Sequence, residues 1–457
     1  MEPLPSNVMY YVNQIAGYSK NTVKLQNINS DKAGPGAGSR QTTVTMPTNS
    51  IINLESLALH ATFTGTGVAA SGGLKAVYAL CPRGGLATLA QRVSWAAGGI
   101  ALDNGPTPYN VIYAVKNTTE NSLDKMLTDQ RVLNNSMISG YDVADDPNDV
   151  KGQRLDLICN EWLGFSEAAP CFLDTNLLPE LRLTIQWESS NVVPVQYEGT
   201  TVGDPKSAAV LPGPEQNVTY SLEDMYWTVE VISFSNGLLD AMNDRIISES
   251  GALSVVYPQY QIFSVEAQGA GGGVRGSAST MSLNRVYGMA RMSGGTPDTP
   301  TTDGYINYAL NQPPLKIADN CGIHLNNAWT NFVSAGVKDY QFKINNSPYP
   351  LYFEKPLGGY NSCVTSCARA YKKSGGSQIG GRKAWLNNHF TPMVSLNHPA
   401  DQRFISGLDL RSINSQINWD ITSDGGTSAA AVRQQLLMTE QSSLLQIGGG
   451  RSLQVIS

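Results

Sequence analysis

The chain has 457 residues, of which 41% are hydrophobic and 15% are charged, and its formal net charge is −6. Soluble globular proteins usually carry about 25% charged residues, so this surface is either covered by partners or built from Gly, Asn, Ser and Thr. Nothing in the charge balance suggests binding to the phosphates of nucleic acid, which needs clustered Lys and Arg. We therefore expect no sequence-specific nucleic acid binding.

Chain length and cysteine content further limit the classes of protein to which this sequence can belong. A prior of about 150 residues per domain predicts two or three domains. Six dispersed cysteines are too few for a disulfide scaffold, which favours reduced thiols in a protein made inside a cell. The N-terminal residues show no basic head followed by an apolar run, so we expect synthesis without a secretory signal. No stretch reaches the ~18 apolar residues that span a bilayer.

Residues 1–40 are predicted to form an N-terminal arm. Residues 7–16 favour a short helix, and the Gly- and Pro-containing stretch 30–39 is typical of a flexible hinge. The arm is mildly basic. Its charged residues are Lys20, Lys24, Lys32 and Arg40 against Glu2 and Asp31. Two interpretations remain open: a disordered tail, or an arm that reaches a neighbouring subunit or an internal layer.

Alternating apolar and polar residues predict that residues 41–235 are mainly β. The predicted strands are 42–46, 51–63, 91–100, 109–115, 155–165, 181–188 and 224–234. One helix interrupts them, capped by Asn121 or Ser122 and fraying near Asn134. An acidic loop follows at residues 141–149.

A helix at residues 236–250 is predicted to separate this half from a second β half. Gly251 ends the helix. The strands predicted after it are 257–267, 280–292, 326–344, 404–410, 415–421 and 433–447, with a short helical segment near 362–372. Residues 183–188 and 415–420 echo each other, which fits two similar sandwiches.

The residue sets that enzymes most often use are missing. The four histidines are His60, His324, His389 and His398, and none pairs with a cysteine or carboxylate at metal-ligand spacing. Cys363 and Cys367 would share one face of a helix, where two thiols can hold a metal or oxidise. Because no second ligand pair accompanies them, we predict buried structural thiols.

Three further motifs have plain interpretations. The stretch 271–276 matches the glycine spacing of a dinucleotide site, but no helix follows it, so we interpret it as a flexible loop. The acidic loop could ligate calcium, yet its spacing fits no known motif. Its candidate ligands are Asp142, Asp145, Asp146 and Asp149. Sequons occur at Asn117, Asn134, Asn217 and Asn345 and are interpreted as chance matches. We predict no catalytic, cofactor or metal site.

Four segments, taken in order, carry a resemblance to a known family: residues 93–102, 172–187, 406–419 and 444–456. The first is similar to a strand that ends in a glycine turn, and the second to a loop and strand near the end of a first sandwich. The third is similar to a Ser-Gly strand with its turn, and the fourth to a closing strand and tail. Together they resemble the double jelly-roll major capsid proteins of double-stranded DNA viruses, including virophages and polinton-like viruses.

The resemblance implies an all-β fold of two tandem eight-stranded jelly-roll sandwiches with a few short helices. The arm would be 1–40, the first jelly roll 41–235 and the second 236–457. It further implies a homotrimer that tiles an icosahedral virion and contacts neighbouring capsomers, minor capsid proteins and penton proteins. The arm could reach an internal membrane. The chain is short for this family, so we expect a low outer surface.

Two other classes remain open. One is a different β-sandwich virion protein, such as a spike or glycan-binding protein. The other is an all-β hydrolase with paired carboxylates. The candidate pairs are Glu161 with Glu188 and Asp409 with Asp420. Nothing in their sequence context singles these pairs out.

Overall fold

The computed structural model describes twenty separate ranges of the chain. They are 18–68, 77–79, 81–82, 85–105, 108–120, 151–193, 195–197, 219–234, 244–245, 247–249, 251–267, 271–292, 332, 337–356, 363, 365–367, 390–397, 407–411, 415–423 and 433–457, with 332 and 363 as single residues. Within these ranges the protein is built from antiparallel strands arranged in four sheets. None of the described helices is long and apolar enough to cross a bilayer.

The first half forms a sandwich of two sheets. Its strands are β1 (Tyr18–Gln26), β2 (Gln41–Thr45), β3 (Ile51–Val68), β4 (Val77–Ala79), β5 (Ala90–Ala97), β6 (Ile100–Asp103), β7 (Lys151–Cys159), β8 (Phe172–Asp174), β9 (Leu181–Trp187), β10 (Val195–Tyr197) and β11 (Tyr220–Phe234). Its helices are α1 (Gly85–Leu89) and α2 (Tyr109–Glu120). One sheet has the order β1-β11-β3-β4-β10 with β7 and β8 also paired to β3, and the other has the order β2-β9-β5-β6.

The second half repeats this plan. Its strands are β12 (Ala252–Ala267), β13 (Gly271–Ser277), β14 (Leu283–Met292), β15 (Val337–Ile344), β16 (Ser347–Glu354), β17 (Met393–Ser395), β18 (Gln416–Ser423), β19 (Arg433–Gly448) and β20 (Ser452–Ile456). One sheet has the order β12-β19-β14-β17 with β20 paired to β19, and the other has the order β13-β18-β15-β16. The all-β fold of two tandem jelly rolls is therefore confirmed.

The alternation that predicted the strands places every second side chain in a core. In β9 the side chains of Leu181, Leu183, Ile185 and Trp187 are buried, and the residues between them face outward. The echo between the halves has a structural counterpart, because β9 and β18 each lie second in their sheet. Trp187 in β9 and Trp419 in β18 are both completely buried.

Each half contributes side chains to the core of the other. Val255 and Leu445, from β12 and β19 of the second half, belong to the first hydrophobic core. Val111 and Val115, from α2 of the first half, belong to the second core. The two sandwiches are therefore joined by a shared apolar interior, which opposes hinge motion between them.

Helix α2 corrects a sequence prediction, because residues 109–115 were expected to form a strand. Their β-branched and aromatic side chains favour a strand by propensity, but packing decides here. Tyr109 and Tyr113, one turn apart, enter the first core. Val111 and Val115, also one turn apart, enter the second. A helix buried on opposite faces has no polar stripe for sequence analysis to detect.

The prediction of a flexible hinge at residues 30–39 is also wrong. Strand β1 pairs with β11 over nine residues, from Tyr18 opposite Phe234 to Gln26 opposite Tyr226. The chain then stays on the sandwich, since Ala33 is fully buried and exchanges two backbone hydrogen bonds with Leu222. Residues 18–40 are thus part of the first sandwich rather than of a loose arm.

The expected loop at 271–276 is instead the edge strand β13, paired with β18 along its whole length. Its glycines serve close packing. A Cβ on Gly276 would lie 2.4 Å from the ring of Phe263, and one on Gly273 would lie 3.1 Å from the carbonyl oxygen of Trp419. The absence of side chains lets neighbouring groups approach the strand.

Several expectations fall wholly or mainly outside the described residues. They are the helix near 121–134, the acidic loop 141–149 and most of the helix at 236–250. Within the segment 236–250, the described residues 244–245 and 247–249 are helical.

Candidate functional site

His60 lies on the outward face of β3 and is engaged by its neighbours. Its Nε2 atom is 3.1 Å from Thr228 Oγ1, and its ring stacks on Tyr226 at a centroid distance of 4.5 Å. Burial and the nearby charge of Lys24 lower the pKa of His60. This is a packed surface histidine. His324, His389 and His398 lie outside the described residues.

Cys363 and Cys367 are brought together, as their spacing predicts. Both are buried, and the hydroxyl of Tyr340 lies 3.0 Å from Cys363 Sγ and 3.8 Å from Cys367 Sγ. The hydrogen bond between the thiols, with burial, raises the pKa of Cys363, and the same bond lowers the pKa of Cys367. Among the described residues no cluster of three or more His, Cys, Asp or Glu could hold a metal ion.

Carboxylates from both candidate pairs are held by cations beside them. Asp409 accepts a hydrogen bond from Arg411 Nε at 3.0 Å, and Asp420 lies 2.7 Å from Lys343 Nζ. Glu188 lies 3.7 Å from Arg40 and accepts a hydrogen bond from the backbone N–H of Ser189. Ion pairing of this kind favours structural carboxylates over a general acid.

A set of buried polar contacts lies between the two sandwiches, around Glu440 of strand β19. Its carboxylate is 3.2 Å from Lys116 Nζ and 3.2 Å from an Arg285 nitrogen. It also accepts a hydrogen bond from the hydroxyl of Tyr287 at 2.9 Å. Burial would raise the pKa of Glu440, but the two cations and the hydroxyl outweigh it and hold the pKa below its usual range. Because Lys116 belongs to α2, this network fixes the first sandwich against the second.

A second connection runs through the 3-10 helix Gly164–Glu167. Asp103 accepts hydrogen bonds from the backbone N–H groups of Gly105 and Phe165, which anchors this helix to β6. Glu167 at its end accepts a hydrogen bond from the hydroxyl of Tyr260 in β12 at 2.8 Å. The backbones of Ala169 and Val256 then exchange two hydrogen bonds across the junction.

This junction was not found by sequence analysis. One signal was present, since Glu440 lies among the apolar residues of the predicted strand 433–447. A charged residue at such a position needs a buried partner. The partner Lys116 is 324 residues away. The residues before it, 109–115, were predicted to form a strand, and Lys116 itself was assigned to no element.

The described sheets and their shared core define the class of fold: two jelly-roll sandwiches in one chain, the double jelly roll. No family model matches the sequence, and no curated protein matches it.

Solved structures do match over almost the whole chain. A chain of the capsid of the virus PBCV-1 is 13% identical with a TM-score of 0.56, and the match covers 99% of this chain and 100% of that one. The Faustovirus major capsid protein is 10% identical with a TM-score of 0.55, covering 96% and 92%. A chain of the Sputnik virophage is 9% identical with a TM-score of 0.54, covering 100% and 91%. At such identities the likeness shows the fold.

Proposed function

We propose that this chain is the major capsid protein of an icosahedral DNA virus. The observation that carries the proposal is the match of the complete double jelly roll, end to end, to capsid chains of PBCV-1 and Faustovirus. Fold alone does not imply function. The match does, however, extend over both sandwiches, with 96–99% of this chain and 92–100% of the capsid chains covered.

Physical properties of the chain support this role. A shell subunit has to keep its shape under load, and the shared core with the Glu440 network joins the two sandwiches into one rigid block. A shell subunit also buries much of its surface against copies of itself. A chain with 15% charged residues suits that use, because burying an unpaired charge is costly.

The finer parts of the proposal concern assembly. Three chains would form a trimer whose six sandwiches give a pseudo-hexagonal outline, and such capsomers would tile the shell together with minor capsid and penton proteins. The first jelly roll ends near residue 235 and the second begins near 236. The protein would act in the virion, as a structural component without a catalytic, cofactor or metal site.

Electrostatic attraction does not favour contact of the N-terminus with an internal membrane. Attraction to anionic lipid needs basic side chains. Residues 3–17 contain none, while Lys20 is paired with Glu230 at 2.8 Å and Lys24 lies over the ring of Tyr226.

The native mass of the purified full-length protein tests the proposal. Size-exclusion chromatography with light scattering should give three times the mass of one chain. A stable monomer at micromolar concentration would contradict the capsomer model. A parallel screen for glycoside hydrolysis should be negative, and turnover abolished by Asp409→Asn or Asp420→Asn would favour the hydrolase class instead.

A further inference from the structure

An open apolar groove lies where the first sandwich meets the second. Its volume is about 380 Å³. Ile51, Phe172 and Ile232 line it from the first sandwich, and Leu253, Val255 and Ile447 line it from the second. Asp174 is the one charged residue among those that line it. The groove is therefore an apolar surface to which a nonpolar side chain would bind favourably.

The groove is incompletely covered. The side chain of Phe172 at its edge remains 49% exposed, although its neighbour Leu173 is buried. Leaving a phenylalanine and the surrounding aliphatic side chains in water costs free energy that an occupant would recover.

The start of β1 places the N-terminal segment beside this groove. Lys20 in β1 is paired with Ile232, and Ile232 is paired on its other side with Ile51. Two residues earlier, Tyr18 is opposite Phe234. The side chain of Lys20 lies on the outward face of the sheet, where it contacts Glu230. Paired residues share a face, so Ile232 and Ile51 present the groove on that same face.

The sequence before β1 has the composition of an occupant. Residues 3–17 include no Asp, Glu, Lys or Arg. Val8, Tyr11, Val12 and Ile15 follow the i, i+3, i+4, i+7 spacing that gives a helix one apolar face. Asn7, Asn13 and Gln14 provide polar positions between them. An uncharged segment with one apolar face suits a groove with a single charged lining residue.

We propose that residues 8–15 of each chain dock into the groove of the same chain, with Val8, Tyr11, Val12 and Ile15 covering Phe172 and its neighbours. The distances allow it. Tyr18 precedes Lys20 by two residues, about 7 Å along the strand. Ala16 and Gly17, which come before Tyr18, are small residues at which the chain can reverse direction. The N-terminus would thus seal the junction between the sandwiches of its own subunit.

Cross-linking in the full-length chain tests this placement. Val12→Cys is combined with Phe172→Cys in a Cys171→Ser background and treated with a short bismaleimide. The matched control combines Val12→Cys with Val265→Cys, since Val265 is an exposed apolar residue of β12 away from the groove lining. A link between positions 12 and 172 within one chain, absent from the control, is expected. A link joining two chains, or no link above the control, would overturn the proposal.

Release of the segment gives an independent readout. Phe172→Glu or Ile15→Glu places a charge in the apolar contact and should speed chymotrypsin cleavage at Tyr10 and Tyr11 about tenfold, because cleavage follows the population of the open form. The controls Val265→Glu and Asn13→Glu should leave the rate unchanged. Ile15→Glu changes no residue of the two described cores, so the test does not rest on Phe172→Glu alone. Equal rates in all five proteins, wild type included, would contradict docking, as would rapid cleavage of the wild type.

Discussion

The Nζ atom of Lys116 lies 3.2 Å from Oε2 of Glu440, and both side chains are less than a tenth exposed. The contact joins a helix of the first sandwich to the central strand of the second. Arg285 and Tyr287 complete the set. Removing the carboxylate leaves buried cations without their counter-charge, which is far more costly than loss of a surface ion pair.

Glu440→Gln should therefore lower the free energy of unfolding by about 3–5 kcal/mol. The measurement is urea unfolding followed by tryptophan fluorescence. Glu249→Gln is the matched control, because Glu249 forms an exposed ion pair with Arg245 that contributes less than about 1 kcal/mol. Similar midpoints for the two variants would show that the network does not hold the sandwiches together.

Asp103 makes the stability of the folded protein depend on pH, in a direction set by its pKa. Burial raises the pKa of Asp103 to about 6 from an ordinary value of 3.8, although hydrogen bonds from Gly105 and Phe165 and the charge of Arg92 act in the opposite direction. Between these values the unfolded chain releases the proton while the folded chain keeps it. The stability contributed by Asp103 is present below about pH 4 and is lost as the pH rises through about 6.

Asp103→Asn removes this titration. The unfolding free energy of the wild type relative to the variant should fall by about 3 kcal/mol between pH 4 and pH 7. Denaturant titrations of both proteins across this range provide the measurement. A difference that is constant with pH would show that folding does not raise the pKa of Asp103, and one that grows with pH would show that folding lowers it.

Strand β1 should be needed for folding. Deleting residues 1–26 would leave β11 as an open edge and remove the packing of Val23 and Leu25 on the first core. It would also end beside Asn27, which accepts a hydrogen bond from Trp227 Nε1 at 3.0 Å. We expect this deletion to give insoluble protein, whereas deletion of residues 1–17 leaves a folded chain by circular dichroism. Soluble, folded protein from both deletions would contradict the assignment of β1.

The C-terminal strands should contribute unequally. β19 pairs with β12 along one side and with β14 and then β20 along the other, so truncation before Gln434 should abolish soluble protein. The resemblance in sequence indicated a closing strand followed by a tail at the end of residues 444–456. Instead the residues of this tail form β20, whose Leu453 and Val455 pack on the first core.

Truncation after Gly450 should therefore cost about 2–4 kcal/mol of stability while leaving a soluble protein. Size-exclusion chromatography and thermal unfolding of the two truncations make the comparison. If the shorter truncation unfolds at the wild-type temperature, β20 contributes nothing to stability. If the longer one stays soluble, β19 is not central.

Sequence patterns predicted those elements whose environment differs between their two faces. β9 and β3 alternate because one face is buried and the other is outward, and the alternation is visible in the residues themselves. The strand at 433–447 was also predicted, from the apolar residues within it. Helix α2 was missed for the opposite reason, since both of its faces are buried and its Val and Ile residues favour strands by propensity.

The remaining differences come from long-range contacts that no local pattern carries. Gly273 and Gly276 follow a loop pattern in the sequence. Their role in a strand depends on the Trp419 carbonyl packed against Gly273 and the Phe263 ring packed against Gly276. The sequence around Ala33 is typical of a hinge, and only the backbone pairing of Ala33 with Leu222 shows that it belongs to the sandwich. The junction network depends on residues from three distant segments, and a sequence shows only that Glu440 is unusual, not which cations meet it.

Negative-stain electron microscopy of the purified full-length protein tests the central claim most directly. A shell subunit of this fold predicts flat particles with a near-hexagonal outline, three-fold symmetric in class averages, in which each chain supplies two of six lobes. Particles with a single pair of lobes, or elongated particles without three-fold symmetry, would contradict the account and favour a different virion protein or a monomeric enzyme.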